Sequence, residues 1–348
     1  MSKKVLLTGA SGVVGFEVFK ELLTRKAAYR VRVLNIDSKF ERQLFQPYQD
    51  DVEIIWGDIR DSSCVRRALQ NVNAVIHSAG IIPPLADQNP RLAREVNVEG
   101  TKNIVYGIKQ QPVPPKLLFT SSISVYGDRI EQPYITVNDP LIPSDGDDYA
   151  RTKIDAERII IDSGIPHSIF RLCGILTREF KIQPLMFHMP LNTSLEWCHP
   201  SDVGYALTQA IEEEGVVNGV YNLGGGEECR IVAKDFLNKM FSIWGVDPSI
   251  LPDYAFAIQN FHSGFYQDGY KLNQILGFRT KTLMDYLDMV KEKVSPNKKK
   301  LICLIPRSLI RQFLLRMSEP LRAIRENDDL LIKRFYGSRK NFLKMANA

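Results

Sequence analysis

The strongest constraint on this chain lies at its start. Lys4-Val-Leu-Leu-Thr8 is a short apolar run, and Thr8-Gly9-Ala-Ser11-Gly12-Val13-Val-Gly15 continues it without a break. Val14, Val18 and Leu22 then recur at i, i+4 and i+8, which is one apolar face of a helix. Strand, glycine turn and helix in that order open a βαβ unit. Glycines there allow a tight turn and a close approach of the backbone to a pyrophosphate. The helix N-terminus adds free N–H groups and the positive end of its dipole.

The first half of the chain repeats this alternation. Val31–Leu34, Val52–Trp56, Ala74–Ile76 and Lys116–Thr120 read as further strands. A long helix is expected from about Asn89 to Lys109, ended by Pro112, Pro114 and Pro115. Another runs from Tyr149 to Ser163-Gly164, with Asp147 or Asp148 as its N-cap and glycine as its stop. Ser168–Arg171 is a sixth strand. The pattern predicts an α/β protein: a doubly wound, parallel-sheet Rossmann fold. Beyond it the periodicity loosens, as expected of a smaller C-terminal substrate-binding part. Val220–Leu223 is expected to return to the sheet. We expect residues 1–175 to form the dinucleotide-binding core, 176–295 mainly the substrate-binding part, and 296–348 a helical tail, with Ser295–Lys300 as linker.

Charge is unevenly spread. Residues 297–348 carry 13 basic and 4 acidic side chains, a net +9, which leaves −4 for the remainder of a chain whose total is +5. A mildly acidic body argues against nucleic acid as its partner. The five cysteines are scattered without Cys-x-x-Cys spacing, as expected of free thiols in the cytoplasm, and no metal site is expected. With the first strand starting almost at Met1, no signal peptide is expected. The longest wholly apolar run in the tail, Leu301–Ile305, is far below the roughly 18 residues that span a bilayer.

Three groups of residues extend the cofactor reading. Asp37 follows the second strand, 22 residues beyond Gly15, where a carboxylate can bond the adenosine ribose hydroxyls and repel a 2′-phosphate. That favours NAD, while Lys39 and Arg42 nearby keep NADP open. Asp58, in Gly57-Asp58-Ile59, can meet the adenine amino group while Ile59 packs on the ring. Ser78-Ala79-Gly80 ends the fourth strand with the small side chains that a dinucleotide crossing it needs.

Tyr149 and Lys153 stand at i and i+4 on one helix face. An ammonium beside a phenol favours the phenolate, so the tyrosine pKa is expected to fall toward working pH and suit it to general acid–base work. Ser121-Ser122-Ile-Ser124-Val-Tyr126-Gly127 follows the fifth strand from Thr120 and supplies hydroxyls to steady a substrate oxygen.

Thr8–Gly15, Gly57–Asp61, Asn97-Val-Glu-Gly100-Thr101, Ser121–Gly127 and Tyr149–Lys153, in this order and spacing, resemble the extended short-chain dehydrogenase/reductases, also called the NAD-dependent epimerase/dehydratase family. The resemblance covers roughly residues 3–290. It implies Ser122, Tyr149 and Lys153 as a catalytic triad, with Asn97, Thr120, Tyr149 and Lys153 beside the cofactor. His199-Pro-Ser-Asp202-Val203 and Tyr221-Asn222-Leu-Gly224 also look like the family. Ile123-Ser124 replaces the Asp-Glu pair of its dehydratases, and Arg171-Leu-Cys-Gly174 departs from its nucleotide-sugar epimerases. Val75-Ile-His-Ser-Ala79 with Gly80-Ile-Ile-Pro-Pro84 is closer to the 3β-hydroxysteroid dehydrogenase-like branch. Relatives often dimerise through the two long helices, here Asn89–Lys109 and Tyr149–Ser163.

The substrate expected is a small hydroxyl or keto compound. Ser124, His188 and His199 are its candidate contacts, and Met186–Pro190 is either an apolar wall for it or core. Three functions share these residues: hydride exchange with a substrate, epimerisation with retained NAD, and dinucleotide binding without catalysis. In the tail, Leu309, Ile310, Phe313, Met317, Leu321 and Ile324 form one apolar stripe, with Arg307, Arg311, Arg322 and Arg325 away from it. Such a helix suits an anionic membrane surface, the chain's own body or a second subunit.

Overall fold

The computed structural model describes residues 2–177 and 182–347. Along the chain the strands are β1 (Lys3–Thr8), β2 (Tyr29–Asn35), β3 (Glu53–Trp56), β4 (Ala74–His77), β5 (Lys116–Ser122), β6 (Tyr134–Ile135), β7 (His167–Leu172), β8 (Gly174–Ile175), β9 (Ser194–Cys198), β10 (Gly219–Leu223), β11 (Arg230–Val232) and β12 (Phe265–Tyr266). The helices are α1 (Val13–Thr24), α2 (Lys39–Phe45), α3 (Ser62–Ala68), α4 (Leu85–Gln88), α5 (Pro90–Arg94), α6 (Gly100–Lys109), α7 (Asp148–Ser163), α8 (Pro200–Gln209), α9 (Ala233–Trp244), α10 (Gly269–Leu276), α11 (Leu283–Lys293), α12 (Pro296–Leu304), α13 (Arg307–Met317), α14 (Glu319–Glu326), α15 (Asp329–Tyr336) and α16 (Arg339–Ala346).

Seven strands form one parallel sheet in the order β10-β7-β5-β4-β1-β2-β3. Successive side chains of a strand point to opposite faces, and both faces are covered here. Val5 and Leu7 join Val18, Phe19 and Leu22 of α1 and Val203, Ala206 and Leu207 of α8 on one side. Leu6 joins Val65 of α3, Ile104 and Ile108 of α6, and Ala156 and Ile160 of α7 on the other. Strand order reverses between β1 and β4, so the connections from their carboxyl ends diverge there and leave a crevice.

The long helix before β5 is interrupted. Residues Glu95–Glu99 form a π-turn between α5 and α6. Such turns cluster at functional positions because the extra residue redirects a side chain. Here they turn the buried Asn97 amide inward. Its Oδ1 accepts from the Ile81 N–H at 2.7 Å, and its Nδ2 donates to the Ile81 carbonyl and to Thr152 Oγ1, both at 2.9 Å.

The second lobe has its own core, built from α9, α11 and α13 around Phe187, Leu237, Met240, Tyr286 and Leu314. Met186 and Met189 pack into it, so the 186–190 stretch is mainly core rather than an apolar substrate wall. Two expectations for the tail are overturned. Residues 296–300 belong to α12 and are not a linker. The expected single stripe is split between α13 and α14, which meet at Ser318. Ile310, Met317 and Leu321 pack against the lobe, whereas Leu309 and Phe313 are 54% and 63% exposed. The Ser318 hydroxyl caps α14 through the Leu321 N–H and donates to the Ala255 carbonyl at 2.6 Å, which pins the break. α14 and α15 then bury Ala323, Ile332, Phe335 and Tyr336 against Ala257.

Candidate active site

The crevice at the strand reversal is a groove of about 210 Å³. Gly9, Ser11 and Gly12 wall it from the β1 turn, Asp58 and Ile59 from the β3 turn, and Ser78, Ala79 and Gly80 from the β4 end. Val13 begins α1 beside it. The glycines here answer to different needs. A Cβ on Gly9, whose φ is +71°, would stand 2.6 Å from Ala79 Cα, and one on Gly15 would stand 2.0 Å from the Gly9 carbonyl oxygen. Gly12, by contrast, has that oxygen as its one neighbour, at 3.4 Å, so its open side faces the groove. Gly12 caps α1 without a side-chain bond, and no acid occupies the first turn. Free N–H groups therefore point toward any anion lying there. Ser78 Oγ is buried without a partner beside them. A cradle that a Cβ would fill, an uncapped helix end and an unpartnered hydroxyl all fit a dinucleotide pyrophosphate.

Asp37 is not at this groove. Its carboxylate is half-exposed and holds Arg42 in a two-pronged pair at 2.6 and 2.8 Å, lining a separate recess with Gln46 and Trp56. The Arg42 guanidinium keeps that carboxyl below its usual range. The residues that reach the groove are Asn35 and Glu41. β2 ends at Asn35, two residues before Asp37, and Asn35 Oδ1 accepts from the Ala10 N–H at 3.3 Å. Ser38 caps α2 through the Glu41 N–H, which turns the Glu41 carboxylate back to Asn35 Nδ2 at 2.9 Å. Asp58 lines the groove and is paired with Arg60 at 2.7 Å, while Ile59 packs under Gly100, where a Cβ would stand 2.5 Å from its Cδ1.

Ser122, Tyr149 and Lys153 converge beside the β4 end of the groove. Ser122 ends β5, and its Oγ accepts from the Ser124 N–H at 3.2 Å, capping the turn that follows. Asp147 caps α7 through the Ala150 N–H, so Tyr149 enters in its first turn. Lys153 is one turn on, with its ammonium 2.8 Å from the Thr120 carbonyl and 4.8 Å above the Phe119 ring. A Cβ on Gly80 would lie 3.7 Å from Lys153 Nζ and 3.1 Å from Asn97 Oδ1. Ser124 is fully buried and its Oγ is unpartnered.

The electrostatics reverse one expectation. Burial pushes the Tyr149 phenol up to about 12 rather than letting Lys153 pull it down, although the Ser122 hydroxyl bonded to it works the other way. Burial instead lowers the Lys153 ammonium to about 8, opposed by Glu157 one turn further along. Burial, with Lys153, takes His77 to about 3, so it stays neutral between Thr8 Oγ1 and Thr101 Oγ1.

Glu157 heads a buried network under the triad. It accepts from Ser121 Oγ and pairs with Arg171 at 2.7 Å. Arg171 donates to Tyr126 Oη at 2.8 Å, and Tyr126 donates to Asn222 Oδ1 at 2.7 Å. This ties β5, β7, β10 and α7 together where Ser122 and Lys153 are held.

A second, smaller cavity of about 60 Å³ adjoins the Tyr149 end of α7. Asp147 and His262 line it, 2.8 Å apart, with His188, Arg334 and Phe335. His188 Nε2 lies 2.7 Å from a Glu319 carboxylate oxygen, and its ring is 4.8 Å from the Phe335 ring, tilted at 47°. His199 is elsewhere: it caps α8, with Nδ1 2.7 Å from Ser201 Oγ, and is a structural group rather than a cleft wall.

Residues 6–171 match the model of the 3-beta hydroxysteroid dehydrogenase/isomerase family, a span that includes the glycine turn, the β5 hydroxyls and the Tyr149–Lys153 helix. Over these residues the chain is similar to that family. The chain is 31% identical over 224 residues to human sterol-4-alpha-carboxylate 3-dehydrogenase, decarboxylating, covering 63% of the chain and 56% of that protein. It is 30% identical over 164 residues to mouse 3 beta-hydroxysteroid dehydrogenase type 7, covering 45% of the chain and 44% of that protein. The chain thus spans about half the length of these relatives. Its fold matches UDP-glucuronic acid 4-epimerase from Bacillus cereus, solved with UDP-glucuronic acid and NAD, at a TM-score of 0.69 and 18% identity over 84% of this chain and 98% of that one.

Sequence reasoning missed Glu41, Glu157 and Arg334. Glu157 had a signal, since Tyr149, Lys153 and Glu157 stand at i, i+4 and i+8. Glu41 had a weaker one in its place three residues after the capping Ser38. Arg334 had none, because it is brought in by tertiary folding of the tail.

Proposed function

We propose that this chain is an extended short-chain dehydrogenase/reductase, a NAD-dependent dehydrogenase acting on a hydroxyl or keto group of a small molecule. One observation carries it: Ser122, Tyr149 and Lys153 are gathered at the sheet's carboxyl edge, beside a groove shaped for a dinucleotide. NAD would lie with its pyrophosphate on the α1 N-terminus and its adenosine ribose toward Asn35 and Glu41, whose carboxylate disfavours a 2′-phosphate. When bound, NAD supplies hydride acceptance or donation. The protein moves the proton. Tyr149 Oη takes it from, or returns it to, the substrate oxygen, and the Ser122 hydroxyl steadies that oxygen. The Lys153 ammonium, held by the Thr120 carbonyl, shapes with Asn97 the floor at Gly80. The names of the curated relatives, both hydroxysteroid or sterol dehydrogenases, favour net oxidation or reduction over epimerisation.

The test uses purified protein, NAD and a panel of hydroxysterols, sterol carboxylates and sugar alcohols, with NADH absorbance as readout. Tyr149→Phe is expected to bind NAD as the wild type does and to lose about 10²–10⁴ in rate. A variant that keeps the wild-type rate removes Tyr149 from the chemistry and overturns the proposal.

Three coarser features complete the proposal. No described helix is long and apolar enough to cross a membrane. We propose peripheral contact through α12 and α13, supported by exposed Leu301, Leu304, Leu309 and Phe313 in a stretch rich in lysine and arginine. A homodimer through α6 and α7 is supported by their outward Tyr106 and Ile161, 57% and 46% exposed, and a monomer by analytical ultracentrifugation would rule it out. The free thiols of all five cysteines support a reducing, cytoplasmic setting, which fluorescence tagging in cells checks.

A further inference from the structure

The tail does more than cover the second lobe. α15 delivers Arg334 to the 60 Å³ cavity beside Tyr149, where it faces Ser144, Asp147 and His188. Among the described residues its guanidinium makes no hydrogen bond and no ion pair; it lies beside Gly146 and 5.8 Å from the neighbouring Phe335 ring, and it acts through charge on Asp87, Asp147 and Glu319. The carboxylates around it are otherwise engaged. Asp147 is 2.8 Å from His262 Nδ1 and accepts from the Ala150 N–H, and Glu319 is 2.7 Å from His188 and paired with Arg322. Asp87, the remaining carboxyl on the wall, is pushed up by burial, with Arg334 pulling the other way.

A second unpartnered donor lines the same space. Ser144 is 6% exposed, and its Oγ is buried without a hydrogen-bond partner. A buried hydroxyl left unpaired costs roughly 1–3 kcal/mol, so such a group usually awaits a ligand or water. Two donors with nothing to donate to, in one cavity, call for an acceptor. A planar guanidinium suits the paired oxygens of a carboxylate or a phosphate best. The volume limits what enters. At roughly 30 Å³ per water, 60 Å³ holds one small substituent, whereas whole ligands take about 300 Å³ or more.

We propose that Arg334, with Ser144, is the specificity-determining pair of the substrate cleft, and that it takes an anionic oxygen group, carboxylate or phosphate, borne by the substrate. This rests on the assignment of Tyr149 as the reacting centre. Asp147 links the two sites: it walls the cavity, caps the helix that presents Tyr149 and acts on its phenol through charge. A flat, uncharged sterol leaves both donors unsatisfied and is expected to be disfavoured.

The test reads Arg334 directly. Full-length protein labelled with nitrogen-15 gives one arginine Nε–H signal that is absent in Arg334→Met, and this signal is followed on adding sodium acetate, inorganic phosphate or, for ionic strength, choline chloride. It is expected to shift saturably with acetate or phosphate and not with choline chloride. Ser144→Ala is expected to weaken the apparent affinity about tenfold. Stronger binding of acetate marks a carboxylate substrate, and stronger binding of phosphate a phosphorylated one. No saturable shift with either anion overturns the proposal. If Arg334→Met melts with the tail undocked, Arg334→Lys supplies the assignment. NAD binding is titrated separately by fluorescence, so a failure of the dehydrogenase assignment is seen apart from a failure of the anion site.

Discussion

At the scale of residues, the site is governed by burial as much as by neighbours. Lys153 illustrates it. Its ammonium is held by one carbonyl and two ring faces, and desolvation brings it from 10.5 to about 8. Above the folded value and below the unfolded one, the unfolded chain holds a proton that the folded chain has shed, so stability rises with pH across that window. The charged amine's cost is present in full below about pH 8. Wild type is therefore expected to gain on Lys153→Met between pH 8 and pH 10, by about 3 kcal/mol at most. Urea unfolding of both proteins at the two pH values measures it, and a difference independent of pH would contradict the burial. The triad spacing was legible in the sequence, but not the sense of its electrostatics. An i, i+4 pair says that two groups are near and does not say how little water reaches them.

At the scale of elements, caps and breaks decide where side chains point. Asp147 and Gly164 bound α7, and both are readable as cap residues. The turn at Glu95–Glu99 is not readable, because a π-turn has no periodic signature of its own, yet it aims Asn97 at Ile81 and Thr152. Counting from Gly15 led to Asp37, and the one-turn cap of α2 by Ser38 brought Glu41 to the groove instead. The tail shows the same dependence. Tyr336 is fully buried and donates to the Tyr254 carbonyl at 2.8 Å, while the Phe335 carbonyl accepts from the Ile258 N–H at 2.9 Å. Tyr336→Ala removes a buried ring and is expected to cost about 3–4 kcal/mol of folding stability, read by urea denaturation. A cost near zero would mean that α15 is not docked in solution.

At the scale of the whole molecule, the basic tail serves two directions. α14 and α15 face inward and pack on the second lobe, whereas α12, the outer side of α13 and the turn between them leave Leu301, Leu304, Ile305, Leu309 and Phe313 in solvent beside Arg307 and Arg311. Full-length protein is expected to sediment with phosphatidylserine-containing vesicles at low salt and far less with phosphatidylcholine alone, since each cation near an anionic surface contributes about 1 kcal/mol. The double substitution Leu304→Glu, Phe313→Glu should abolish that sedimentation. Equal sedimentation of wild type and double variant would dismiss the surface as a membrane contact.

The amino-acid sequence by itself determined the parallel α/β core, the glycine turn, the strand-end hydroxyls and the Tyr149–Lys153 pair. These depend on local periodicity and on residues a few positions apart, which survive in one dimension. Only the tertiary structure decided which carboxylate meets the groove, which way burial shifts the triad's titration, and where the tail goes. Glu41 and Asn35, Lys153 and Thr120, and Arg334 and Ser144 are each brought together by packing of elements whose relative placement no spacing encodes.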